Sequence, residues 1–160
     1  MFKRALGFIW ASPISVIGLS ITCLATLVGW CRWHARHGDA FVWVISDDAP
    51  KRIKDAFFRR GGATFGNITI VRNEPNTYVR ALTLRHEQEH VVQYMRLGVF
   101  QPVAFAIAYV CLAFTRNGHP FYDNPFEIDA RRAAGQVIDV IGVAKRLSDK
   151  KRKHKVLNDT

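Results

Sequence analysis

From Ala5 to Cys31 the chain carries no charged side chain, an unbroken run of 27 residues bounded by Arg4 and Arg32. That is long enough to cross a bilayer, whose hydrocarbon layer takes about 20 apolar residues of helix. Within it, Ser12 and Pro13 have the form of an N-cap and a first helical residue, where proline has no useful N–H to lose. The pattern predicts a spanning helix over 13–33. Trp10 stands just before it, and Trp30 and Trp33 close it, as indoles do at the two head-group layers. The expectation is a single-pass membrane anchor within residues 1–38. Its orientation is open, because Lys3 and Arg4 face Arg32 and Arg36 across the run. Three other readings stay open: a secretory signal peptide, a fully buried core helix, and a helix lying in the membrane interface.

The 160 residues hold 23 Lys and Arg against 13 Asp and Glu, a net charge of +10. A 49% hydrophobic content with mean hydropathy near zero excludes a disordered or low-complexity chain. The length leaves room for about one ordinary domain after the anchor, which excludes a two-domain enzyme. Eleven of the basic residues either flank the uncharged run or lie in Lys145–Lys155, where seven stand against the single acid Asp149. Anionic lipid head groups are therefore the expected partner of the charge, and with a bilayer span at the N-terminus nucleic acid is not expected. Cys23, Cys31 and Cys111 form no CxxC pair and sit in apolar stretches, so they read as small hydrophobes rather than as a disulfide framework or a cysteine metal site.

Downstream, the β-branched and aromatic stretch 41–45 reads as a strand, 50–60 as a helix stopped by Gly61-Gly62, and Thr64–Val71 as a second strand. Asn76 or Thr77 caps a long helix that runs to Gly98. Residues 99–114 are apolar again, but as a helix they reach only about 24 Å, short for a span. A polar loop over 115–123 leads to a last helix that starts at Asn124-Pro125 and is expected to reach about 147. The fold class is α+β: two or three strands and about four helices in 39–147, followed by a basic tail over 148–160.

The long helix contains His86-Glu87-Gln88-Glu89-His90, which fits H-E-x-x-H. Residues four apart share a helix face, so both imidazoles can reach one metal ion, while Glu87 projects beside it to take a proton from water. The competing reading is a solvated face on which Arg85, Glu87 and Glu89 form surface ion pairs. Two histidines do not complete a catalytic zinc site; the candidates for a third ligand are His119, Asp123, Glu127 and Asp129. Glu127 lies in the first turn of the last helix, which would hold it rigidly. By helix signals alone it equally fits the third position of a capping box with Asn124.

His86-Glu87-Gln88-Glu89-His90-Val91-Val92-Gln93-Tyr94, then Gly98, then Asn124-Pro125-Phe126-Glu127-Ile128-Asp129-Ala130, resembles the gluzincin type of zinc metallopeptidase. More narrowly, the sequence is similar to small membrane-anchored bacterial and phage proteins that carry HExxHxxQ and NPxE. The likeness covers the layout of the whole chain, with its specific motifs in 86–98 and 124–130. It implies a zincin-like minimal domain, Zn2+ held by His86, His90 and Glu127, Glu87 as general base, and a peptide or protein substrate aligned along the strand Thr64–Val71. Tyr122 and His119 are candidates to donate to an oxyanion, and Gln93 to orient a ligand. The resemblance breaks at Arg131, four positions after Glu127, where the best-studied gluzincins carry an acid. The expected activity is that of a membrane-anchored zinc metallopeptidase. The alternative is a non-catalytic membrane-tethered binding or assembly module that keeps a zincin shape.

Overall fold

The structure, a computed structural model, describes residues 2–115 and 119–136. The expected continuation of the last helix past 136, the tail over 148–160 and the basic run within it lie outside the described residues. The described fold is α+β: a four-stranded mixed sheet with helices on both faces and an apolar helix at its N-terminus.

That first helix, α1, covers Phe2–Leu27. It begins before the expected start at Pro13 and ends before the expected end at Trp33. Pro13 sits inside it and cannot donate to the carbonyl of Ile9 four residues back. The Ser12 hydroxyl does so instead, at 2.7 Å, and the helix runs through. The far end stops early because Gly29, at φ 77°, turns the chain and Cys31–His37 pairs as strand β1. Trp33 accordingly sits on the sheet, edge-on to Trp43 at 4.8 Å, and does not close a helix.

Strand β2 (Ala40–Ile45) pairs antiparallel with β1 and parallel with β4 (Ile68–Val71), and β3 (Gly62–Phe65) completes the order β1-β2-β4-β3. The single strand expected over Thr64–Val71 is thus a hairpin. Gly66, at φ 62°, and Asn67 form its turn, leaving β4 inside the sheet and β3 at its edge. Helix α2 (Lys51–Arg60) ends at Gly61, φ 82°.

Alternation along the strands makes two cores. Val42, Val44 and Val71 meet Val91 and Leu84 of α3 (Thr77–Leu97), while Ile45 and Ile70 meet Ala25 of α1 and Ile53 of α2 on the opposite face. Asn76 caps α3 by accepting from the amides of Tyr78 and Val79, and Gly98, φ 58°, ends it. A short 3-10 turn over Gly98–Phe100 leads into α4 (Gln101–Ala113), and α5 (Pro125–Ala134) closes the described fold. Helix α5 ends at Ala134, where Gly135 adopts the left-handed conformation, φ 70°.

Two stretches, Arg4–Leu27 and Thr77–Ala113, are long and apolar enough to cross a membrane. The second is broken at Gly98 and carries buried Glu87, His90 and Gln93 in its first half. Helices α3 and α5 pack together, with the Gln93 amide donating to the carbonyl of Phe126 at 2.9 Å. Residues on either side of 99–114 therefore share one side of the fold.

Candidate metal centre

The site forms where α3 and α5 meet under β3. His86 and His90 lie one turn apart, and their Nε2 atoms approach to 3.2 Å. Asn124 starts α5 by accepting from the Phe126 amide, which aims Glu127 at both rings. Glu127 Oε2 lies 3.4 Å from His86 Nε2 and Oε1 lies 3.4 Å from His90 Nε2. The capping-box alternative for Glu127 is not adopted: the Asn124 amide donates to the carbonyl of Phe121, and the Glu127 carboxylate points to the histidines. His86, His90 and Glu127 together could hold a metal ion, with one donor atom from each lying within 4.8 Å of the others.

Gln93 decides how His90 presents itself. The Gln93 amide N–H is fixed on the Phe126 carbonyl, so its Oε1 faces His90 Nδ1, 2.9 Å away. A neutral His90 then carries its proton on Nδ1 and leaves the Nε2 lone pair toward the cluster. His86 Nδ1 is buried and has no hydrogen-bond partner among the described residues.

Glu87 is not on a solvated face; it is 3% exposed. Thr64 of the edge strand donates to its Oε2 at 2.7 Å and stands 3.1 Å from Thr69. A Cβ at Gly62 would fall 2.6 Å from Glu87 Oε1, so the carboxylate occupies space that only glycine leaves free. Burial pushes the Glu87 carboxyl above its ordinary range, against the opposing charges of His90 and His86. For His90, burial works downward, but the hydrogen bond and charge of Glu127 and the charge of Glu87 outweigh it and hold the ring up to about 9. Burial likewise opposes ionisation of Glu127, and the hydrogen bonds and charges of His86 and His90 reverse this and bring it down to about 2.

Arg131 occupies the position where the resemblance breaks, and it is part of the site. It is 8% exposed, donates to Glu127 Oε2 at 3.3 Å and to the Tyr122 carbonyl at 2.7 Å, and lies over the Tyr122 ring at 5.1 Å. Its i+4 spacing from Glu127 on a helix was the sequence signal for this contact. Thr64 and Gly62 carried no such signal, because they reach Glu87 only through the pairing of β3.

The cluster opens into a cleft of about 650 Å³ whose walls include Phe65, Tyr94, Phe105, Tyr109, Phe121 and Tyr122. Tyr122 thus stands at the cleft. His119 is exposed, its Nδ1 accepts from the Phe121 and Tyr122 amides, and it is not among the cleft's lining residues. Asp123 accepts from the His119 amide, and Asp129 is taken up by Arg132; neither joins the cluster. Compared with known protein families, curated proteins and solved structures, the chain shows no match.

Proposed function

We propose that this chain is a membrane-held zinc hydrolase of peptide bonds, with a zincin-like minimal domain in which His86, His90 and Glu127 bind the ion and Glu87 is the general base. The observation that carries the reading is the donor spacing. Ligands about 2.0–2.1 Å from a tetrahedral zinc stand about 3.3 Å apart; the two imidazole nitrogens are 3.2 Å apart, a different Glu127 oxygen lies 3.4 Å from each, and one donor atom from each residue lies within 4.8 Å of the others. Two imidazoles and one carboxylate, with one imidazole oriented by Gln93, are a donor set that suits zinc.

When bound, zinc would supply Lewis acidity, drawing the pKa of water toward 7 and polarising the carbonyl to be attacked. The chain's own residues do the rest. Edge strand β3 offers unpaired main-chain groups to an extended peptide lying beside the cleft. Glu87, with one oxygen held by Thr64, accepts a proton from the attacking water and returns it to the leaving amine. Burial raises its pKa and so strengthens it as a base. Tyr122, at the cleft wall, is the nearer donor for the developing oxyanion.

One observation favours the alternative of a non-catalytic tethered module: Arg131 draws on the same Glu127 oxygen that faces His86. A single comparison separates the two. Wild type and Glu87→Gln are expected to hold one zinc per chain, and His90→Ala none. Wild type alone is expected to cleave a peptide library, with Glu87→Gln slower by about 10²-fold or more. Equal zinc in wild type and His90→Ala rejects the metal site, and turnover undiminished in Glu87→Gln rejects the base.

A further inference from the structure

The buried and exposed faces of α1 are both apolar, and they differ in size. Gly7, Ala11, Gly18 and Thr22 make a buried stripe of small residues, while Ile9, Val16, Ile17, Leu24 and Leu27 stand 53–82% exposed on other sides. The stripe is docked along the whole helix. Arg4 pairs with Asp39 at 2.6 Å, Gly7 packs on Met95, Ser15 hydrogen-bonds to Asn67, Gly18 packs on Phe65 and Ile68, and Ala25 joins the second core. Helix α1 is thus one layer of the folded domain, not a stalk in front of it.

This docking sets a physical limit on how α1 can meet a bilayer. A crossing α1 would carry into hydrocarbon the sheet packed against it, including edge strand β1 with exposed Arg32, His34 and Arg36. Open strand edges and charged side chains are not satisfied there. An α1 lying in the plane of one leaflet has no such conflict, because only its outer side enters the lipid. Helix α4 leaves a second apolar face open, and the turn before it touches α1. Trp10 of α1 meets Phe100 at 6.2 Å between ring centroids, and beyond it Val103, Ile107, Val110 and Phe114 are 52–87% exposed.

We propose that the outer faces of α1 and α4 form one membrane-contacting surface that seats in a single leaflet of an anionic bilayer, with α1 lying along the membrane and not crossing it. Lipid fits this surface better than a second copy does, because the net charge of +10 on each chain opposes self-association and is attracted to anionic head groups. The inference concerns how the chain is held at a membrane and does not depend on zinc or hydrolysis.

Depth measurements on the full chain in phosphatidylcholine–phosphatidylglycerol vesicles test it. Val16→Cys and Leu27→Cys, made with Cys23 and Cys111 replaced by serine, put a fluorophore at two exposed positions eleven residues apart on one side of α1; native Cys111 reports on α4. Nitroxide lipids labelled at the head group and at deep acyl carbons read the depth of each probe. A helix in the plane gives depths for 16, 27 and 111 that agree within about 5 Å and lie near the acyl boundary. A crossing helix gives 16 near the bilayer centre and 27 about 16 Å shallower, and that result overturns the proposal. Absence of quenching at all three positions, with dimers in sedimentation, also overturns it in favour of a second copy. Zinc content measured on the same samples keeps either failure separate from that of the metal site.

Discussion

Helices α1 and α3 touch where Gly7 meets Met95 and reach opposite faces of one sheet, with Ala25 of α1 in one core and Leu84 and Val91 of α3 in the other, and each departs from the usual pattern of a surface helix in its own way. Helix α1 leaves large aliphatic side chains in the open and buries glycine, alanine and threonine. Helix α3 buries Glu87, His90 and Gln93. An exposed apolar face needs a partner that is not water, and a buried cluster of titratable groups needs a charge or proton to hold it together. The difference separates two demands within one small domain: apolar surface left open on α1, and on α3 a buried cluster, completed by Glu127, that could hold a metal ion.

The strongest way to break that separation is to damage one helix and read the other. Val16→Asp with Ile17→Asp on α1 is expected to lower vesicle partitioning at least about tenfold, since a charge in the membrane costs about 2.5 kcal/mol or more at depth, while zinc content stays at the wild-type level. His90→Ala should do the reverse. If either variant moves both readouts, the two regions are coupled and the comparison fails.

Gln93→Ala sharpens the α3 side. It removes the acceptor on His90 Nδ1 and is expected to weaken metal affinity about 10–100-fold without abolishing binding; an unchanged affinity by competition with a chelating dye would show that His90 needs no orientation.

The metal-free protein carries a pH signature. His90, raised from 6.5 to about 9, contributes stability that is fully present below 6.5 and lost as pH rises through 9. Glu127, lowered from 4.5 to about 2, contributes stability that is present above 4.5 and lost as pH falls toward 2. Both contributions are complete between 4.5 and 6.5, while Glu87, raised by burial, costs stability as pH rises above 4.5, so the Tm measured with chelator present should fall from pH 7 to 10; a Tm still rising across that range would contradict the pairing. A smaller effect is expected of Gly62→Ala. The added methyl should displace Glu87 at a cost of about 1–3 kcal/mol, slowing hydrolysis while zinc is retained; full activity would mean that the carboxylate is not confined by β3.

Much of the site was legible because it is local. His86 and His90 share a helix turn, Asn76 and Gly98 bound that helix, and Asn124-Pro125 starts the one that bears Glu127. Gln93, Tyr122 and Arg131 were marked by position, although only packing shows what each touches. What the sequence concealed depends on pairing between distant strands. Strand β1 alternates arginine and histidine with apolar residues beside a run that reads as membrane, so its pairing with β2 left no hydrophobic signature of its own. The turn at Gly66-Asn67 was hidden within a stretch of strand formers, although Gly-Asn is a hairpin signal. Pro13 pointed to a helix start only because the rescue of the Ile9 carbonyl by Ser12 is a matter of one rotamer.

Helix α4 separates the cleft from an exposed apolar face. Phe105 and Tyr109 face the cleft, and Val103, Ile107 and Val110 face outward, across a helix about 10 Å thick. With hydrocarbon against its outer side, that wall of the cleft is backed by a medium of low dielectric constant rather than by water. Fields from Glu87, Glu127 and Arg131 would then be screened from fewer directions than at an ordinary surface cleft, so each charge acts more strongly on whatever enters.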